Sequence, residues 1–203
     1  MDRISRRSWP RQITGVLVVL TALVAGPLAS APETGPRPLP AAHHISGVPF
    51  AAREKNWCGP SALAAVLQFH GEKATAAQIA KDIYLPNYHG SLNLDLLFWA
   101  RKRGMQVWAA TGEADRIKGA VVRDHPVVCM VRRRGRLADR NHFVIVRGYD
   151  EEKQVWLLDE GNGREEPARM ADFGKDWREC GRWMMVVEGK KTPARPEGKR
   201  EGG

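Results

Sequence analysis

The chain is poor in cysteine. Its three cysteines, Cys58, Cys129 and Cys180, are too few in 203 residues to form a disulfide scaffold, and no two of them form a Cys-x-x-Cys pair of the zinc-binding kind. Internal repeats are absent, which excludes a solenoid. Glycine follows no triplet period, and the 43% hydrophobic content is that of an ordinary globular protein. A collagen-like or wholly disordered chain is thereby excluded. His43, His44, His70, His89 and His125 show no metal-ligand spacing with carboxylates, so no metal site is expected among them. The length admits one domain with appendages.

Acidic residues are also in deficit, with 23 against 32 basic ones, for a net charge of +9. Two thirds of that excess sits at the ends. Residues 1–31 hold four Arg and one Asp, and residues 189–203 hold five Lys or Arg and two Glu, which is +3 in each case. The body between them carries only the remaining +3. A basic face for nucleic acid is therefore not expected.

The N-terminus has the layout of a targeting segment. Arg3, Arg6, Arg7 and Arg11 precede an uncharged run, Gln12–Pro32, which ends in the small residues Ala29-Ser30-Ala31. Residues 1–31 read as a cleaved secretory signal or an uncleaved membrane anchor. Pro32 disfavours cleavage, and the run is long enough to span a bilayer. Either way the rest of the chain is expected outside the cytoplasm. Residues 32–46 read as a proline-rich linker, 47–188 as the folded domain, and 189–203 as a basic tail too polar to fold.

Within the domain, apolar spacing predicts a helix over Cys58–His70 and a short one from a Thr75 cap to about Tyr84. A third is predicted over Leu94–Gly104, with Leu94, Leu97 and Phe98 on one face. A strand at Met105–Ala109 and a weaker helix at Glu113–Val121 follow. The pattern then changes to short β-type runs at Val127–Val131, Phe143–Val146, Val155–Leu158 and Trp183–Val187, with a helical turn near Asp172–Trp177. This order predicts an α+β fold in which a helical layer packs on an antiparallel meander.

Three residues carry candidate chemistry. Cys58 opens the first helix, where the positive end of the dipole stabilises a thiolate, and Gly59 would let a substrate backbone approach. His142 starts a strand. Asp159 ends the next one, and a hairpin through Gly148–Lys153 would make the two neighbours at one rim. The carboxylate would then orient the imidazole. Each signal has a bland reading: a structural cysteine, a surface histidine, a turn aspartate. The conjunction, in the order Cys, His, Asp, is that of papain-like enzymes. Arg132, Arg133, Arg134, Arg136 and Arg140 precede the histidine and read as a solvated loop, with recruitment of an acidic peptide as the alternative. Cys129 and Cys180 could pair in an exported protein, although unpaired thiols are the simpler reading.

The segments VPFAAREKNWCGPSALAAVLQFHG (Val48–Gly71), NHFVIVRGYD (Asn141–Asp150) and VWLLDEGNG (Val155–Gly163) resemble the bacteriocin-processing cysteine peptidases that cut after double-glycine leaders, and more closely their stand-alone exported relatives. The resemblance extends over nearly all of 47–188. It implies a papain-like cysteine peptidase fold with Cys58 as nucleophile, His142 as base and Asp159 as orienting carboxylate, a peptide or protein as the expected partner, and a reaction that needs no metal or organic cofactor. One position departs from the pattern. The family's oxyanion glutamine stands five or six residues before the cysteine, where this chain has Arg53 and Ala52. The same triad would serve a cell-wall amidase or transacylase, and loss of the glutamine is compatible with a peptide-binding module of impaired activity.

Overall fold

A computed structural model describes residues 38–52, 56–135 and 138–190. The targeting segment, Arg53 and the tail beyond Lys190 lie outside the described residues. α1 (Cys58–Phe69) is buried from Gly59 through Leu67, so it lies in the interior and presents no polar face. α2 (Ala76–Ile83) begins with a reciprocal cap. Thr75 Oγ1 accepts from Gln78 N at 3.2 Å, and the Gln78 side chain accepts from Thr75 N at 3.0 Å.

α3 (Asn93–Lys102) forms where its spacing predicts, but it is turned the other way. Leu96, Leu97, Trp99 and Ala100 are buried, whereas Leu94 and Phe98 are 51% and 57% exposed. The reason is tertiary. Trp99 Nε1 donates to Asp82 of α2 at 2.8 Å, and that bond docks α3 on its tryptophan face.

The strands are β1 (Ala42–His44), β2 (Met105–Thr111), β3 (Val127–Arg133), β4 (Arg140–Asp150), β5 (Val155–Asp159), β6 (Glu165–Arg169) and β7 (Trp183–Lys190), with α4 (Ala114–Val121) and α5 (Met170–Arg178) between them. They form one antiparallel sheet in the order β2-β7-β3-β4-β5-β6, with β1 paired to the end of β4. Only β3 to β6 form a meander. β7 returns to lie between β2 and β3. Helices also cover both faces, where the sequence suggested one layer. Leu63, Leu67, Leu96 and Ile145 belong to the core on the side of α1 to α3, and Ile117, Val121, Phe173 and Trp177 to the core on the other side.

Two strands escaped the sequence reading. β1 lies in the stretch read as linker, and three residues are too few to show a period. It fits against Gly148, where a Cβ would come within 2.7 Å of the His43 carbonyl oxygen. β6 (EEPAR) is a charged edge strand, and its Pro167 is tolerated because the outer side needs no partner.

His70, just past the end of α1, lies with its ring centroid 6.1 Å from that of His125, and each ring has a buried nitrogen without a partner. Burial lowers both pKa values below 6.5, as it does that of His142. An unfolded chain takes up these protons near 6.5 and the folded one only at lower pH. Stability is therefore expected to be fully present above that value and to fall as pH drops through the window. Urea unfolding at about pH 7.5 and about pH 5.5 checks this, and His70→Gln/His125→Gln should lose less on acidification. An unchanged pH slope in the double variant would refute the assignment.

Candidate active site

Cys58 is the first residue of α1 and is half-buried. The first turn contains no acidic residue, and Trp57 makes no side-chain cap. Within that turn, therefore, no carboxylate opposes the positive end of the helix dipole, about half a charge, beside the thiol. Ser61 N donates to the Trp57 carbonyl at 2.8 Å, and Pro60 has no N–H. The amides of Cys58 and Gly59 remain at the tip without an intrahelical acceptor.

Gly59 differs from its expected role. It is buried, and a Cβ there would meet Phe143 Cδ2 at 3.1 Å and Leu96 Cδ1 at 3.4 Å. Its small size lets α1 approach the sheet, and the residue it spares is Phe143, the neighbour of the candidate base. Gly59→Ala is expected to destabilise the fold by about 1–3 kcal/mol through overpacking. Hydrolysis should fall as Phe143 shifts. Unchanged melting and turnover would contradict this account of the contact.

His142, the third residue of β4, stands opposite Val131 of β3. It lines a cleft of about 1220 Å³ together with Cys58, Ala51, Ala52, Tyr88 and Leu92. Its Nε2 donates to the Glu160 carbonyl at 3.2 Å, which leaves Nδ1 of the neutral ring with its lone pair. Burial is the main influence lowering the His142 pKa. The Glu160 carboxylate and hydrogen bond oppose it, and Arg133 and Arg140 reinforce it. The ring is thus neutral at pH 7 and able to accept a proton. Among the described residues no hydrogen bond joins Cys58 to His142. Catalytic hydrogen bonds are often long before substrate binds.

Asp159 lies one step behind. In the β4–β5 register it stands opposite Ile145, three residues along β4 from His142, with an irregularity between Val146 and Gly148. The carboxylate is 1% exposed and bonded to two amides: Oδ2 accepts from Ala51 N at 2.7 Å and Oδ1 from Gly161 N at 2.8 Å. The second bond forms a tight turn at Glu160, the residue whose carbonyl receives His142. Asp159 therefore bears on the imidazole through the backbone, without the direct contact that the strand-end reading anticipated. Burial raises its pKa, and the two amide bonds and the Arg147 charge act in the opposite direction.

The sequence reading did not single out Glu160. Arg133 Nε donates to its carboxylate at 3.3 Å, and Arg133 Nη1 donates to Asp176 of α5 at 2.7 Å. A glutamate just before a turn glycine was the available signal. Arg132, Arg133, Arg134 and Arg140 line the cleft, so they are more than a solvated loop. Three of them are charge-compensated: Arg133 by Glu160 and Asp176, Arg134 by Asp139 and Glu179, and Arg132 by Glu179 at 3.9 Å. This wall carries little excess charge for an acidic peptide. Arg136 lies outside the described residues.

All three cysteines are free thiols. Cys129 is fully buried between Val144 and Met184 on the neighbouring strands, and burial pushes its pKa well up. Cys180 Sγ lies 3.5 Å from Asn141 Oδ1. Among the described residues no group of three or more His, Cys, Asp or Glu is placed to hold a metal ion. No helix among them is long and apolar enough to cross a membrane.

Solved structures with the same architecture include a C39-like peptidase from Bacillus anthracis, at 16% identity and TM-score 0.62, which covers 75% of this chain and 100% of that one. A double-glycine motif protease from an AMS/PCAT transporter, solved in complex with a leader peptide, matches at 18% identity and TM-score 0.55, covering 74% and 95% of the two chains. The cysteine protease xylellain from Xylella fastidiosa matches at 12% identity and TM-score 0.56, covering 76% and 88%. No curated protein matches the chain. The model of the Peptidase_C39 like family matches residues 45–185, which include Cys58, His142 and Asp159. With its helix-borne cysteine and strand-borne histidine on one cleft of a papain-like fold, the chain belongs to the C39-like family of cysteine peptidases.

Proposed function

We propose that the protein is an exported peptidase that hydrolyses a peptide bond through a thioester on Cys58. The observation that carries this reading is the shared cleft: a thiol at a helix N-terminus whose first turn holds no acidic residue, and a neutral imidazole whose other nitrogen is already bonded. His142 Nδ1 accepts the thiol proton as sulfur attacks the carbonyl carbon. The oxyanion receives the Cys58 amide at the helix tip. The C–N bond breaks, and His142 returns the proton to the departing amine. Water then loses a proton to the same nitrogen and attacks the thioester, which releases the acid and restores the thiol. Glu160 fixes the ring, and Asp159 fixes Glu160.

The leader peptide bound by the transporter protease supports a linear peptide as substrate. The Arg-rich start and apolar run of residues 1–31 support action outside the cytoplasm, by secretion or membrane attachment.

Alkylation by iodoacetamide, followed by peptide mass mapping, tests the reading. Cys58 should react ahead of the buried Cys129 and Cys180, and His142→Ala should slow it by about tenfold or more. Equal reaction of all three thiols, or an unchanged rate without His142, would overturn it.

A further inference from the structure

Arg147 is the most deeply buried cation among the described residues, and the reaction above gives it no part. It lies on β4 between Val146 and Gly148, at 5% exposure. A buried guanidinium is costly unless its donors and charge are matched. All its matches but the counter-charge lie on the chain that leads to the nucleophile. Nη2 donates to the Val48 carbonyl at 2.8 Å, and the guanidinium stacks on Phe50 at 4.4 Å from the ring centroid. Its backbone carbonyl accepts from Ile45 N at 2.8 Å. The counter-charge is Glu165 of β6, 3.8 Å from Nε, and Glu165 also receives His44 Nε2 at 2.9 Å. Nε and Nη1 have no hydrogen-bond partner, so the side chain is held for position at the expense of full satisfaction.

Three residues after Val48 the same segment is pinned again, where Ala51 N donates to Asp159. Ala51 and Ala52 then form the wall of the cleft beside Cys58. Two neighbouring strands thus each hold one end of a four-residue stretch. Arg147 of β4 takes its first carbonyl, and Asp159 of β5 takes its last amide.

We propose that Arg147 is a positioning residue of the active site, which holds Val48–Ala51 against β4 and β5 so that the Ala51–Ala52 wall stands at a fixed distance from Cys58 and the scissile carbonyl. This deepens the peptidase reading and rests on it. Ala51 and Ala52 line the same cleft as Cys58 and His142, so displacement of this wall is expected to misplace the reacting carbonyl and to penalise the acylation step more than substrate binding. It leaves the thiol and imidazole on α1 and β4 in place. A small misplacement of such a group lowers turnover strongly.

The test compares wild type with Arg147→Met, which keeps the stem, and Arg147→Lys, which keeps the charge. One readout needs no turnover: amide hydrogen exchange of residues 48–52. It is expected to speed up about tenfold or more in Arg147→Met, with α1 and β3 unchanged. With fluorescein-labelled casein as substrate, kcat should fall about 10- to 100-fold with KM within about threefold, and Arg147→Lys should recover part of the loss. Iodoacetamide alkylation of Cys58 involves no oxyanion and should stay within about twofold. Protected exchange in Arg147→Met, or a KM effect with kcat unchanged, would overturn the proposal. So would parallel loss of alkylation and turnover. A failure of the peptidase reading shows separately, as wild-type turnover no greater than that of Cys58→Ala, and the exchange measurement still decides the role of Arg147.

Discussion

Cys58→Ala is expected to lower kcat/KM for peptide hydrolysis by about a hundred-thousandfold to a millionfold, to the level left by binding and oxyanion contacts alone. The size follows from the mechanism. Removing the sulfur removes the covalent route through a thioester, and neither of the other two thiols lines the cleft. Cys129 is sealed between strands and its thiol is held protonated, and Cys180 is buried beside Asn141. The fold should tolerate the change, because alanine is a strong helix former and Cys58 is only half-buried. The check is turnover of a quenched peptide by both proteins at equal concentration, with melting temperatures in parallel. Residual activity above about one per cent with unchanged melting would mean that another group does the chemistry.

The second large effect is expected at Asp159. Asp159→Ala leaves two backbone amides, Ala51 N and Gly161 N, without the oxygens that accept them. Each orphaned amide costs about 1–3 kcal/mol, so destabilisation of about 2–5 kcal/mol is expected, a large share of an ordinary domain's stability. Turnover should fall about 100- to 10,000-fold, because the Glu160 carbonyl is then no longer held against His142. Asp159→Asn preserves the shape and destabilises less. Its amide oxygen can accept one N–H while its NH2 faces the other.

The route of the effect is also testable. The charges acting on His142 are those of Glu160, Arg133 and Arg140. Glu160→Gln should therefore move the acid limb of Cys58 alkylation to lower pH, since the carboxylate it removes favours the imidazolium. Asp159→Asn should move that limb less while it lowers turnover more. If Asp159→Asn gives the larger shift, the carboxylate acts on the ring directly.

Much of this was legible in the chain. Cys58 could be read as a helix-tip thiol because an Ala- and Leu-rich run follows it, with Pro60 in the first turn. His142 could be read as a rim residue because polar, charged residues precede it and FVIV follows. The α+β class followed from helical periods giving way to short β-branched runs. What escaped was set by partners distant in sequence. β1 exists because β4 offers it Gly148–Asp150. α3 turns Phe98 outward because Asp82 takes Trp99. Gly59 serves packing against Phe143, which lies 84 positions further on.

The sequence by itself determined the scarce thiols, the export-like start, most of the elements and the order Cys58, His142, Asp159. These depend on side-chain chemistry and on periods that a single strand or helix displays. Only the tertiary structure decided what each residue touches. The register of β5 on β4 sets Asp159 opposite Ile145, so the carboxylate grips Ala51 and Gly161 while the Glu160 carbonyl takes the imidazole. Register depends on pairing between strands and on one irregularity in the ladder, and the period of a single strand displays neither.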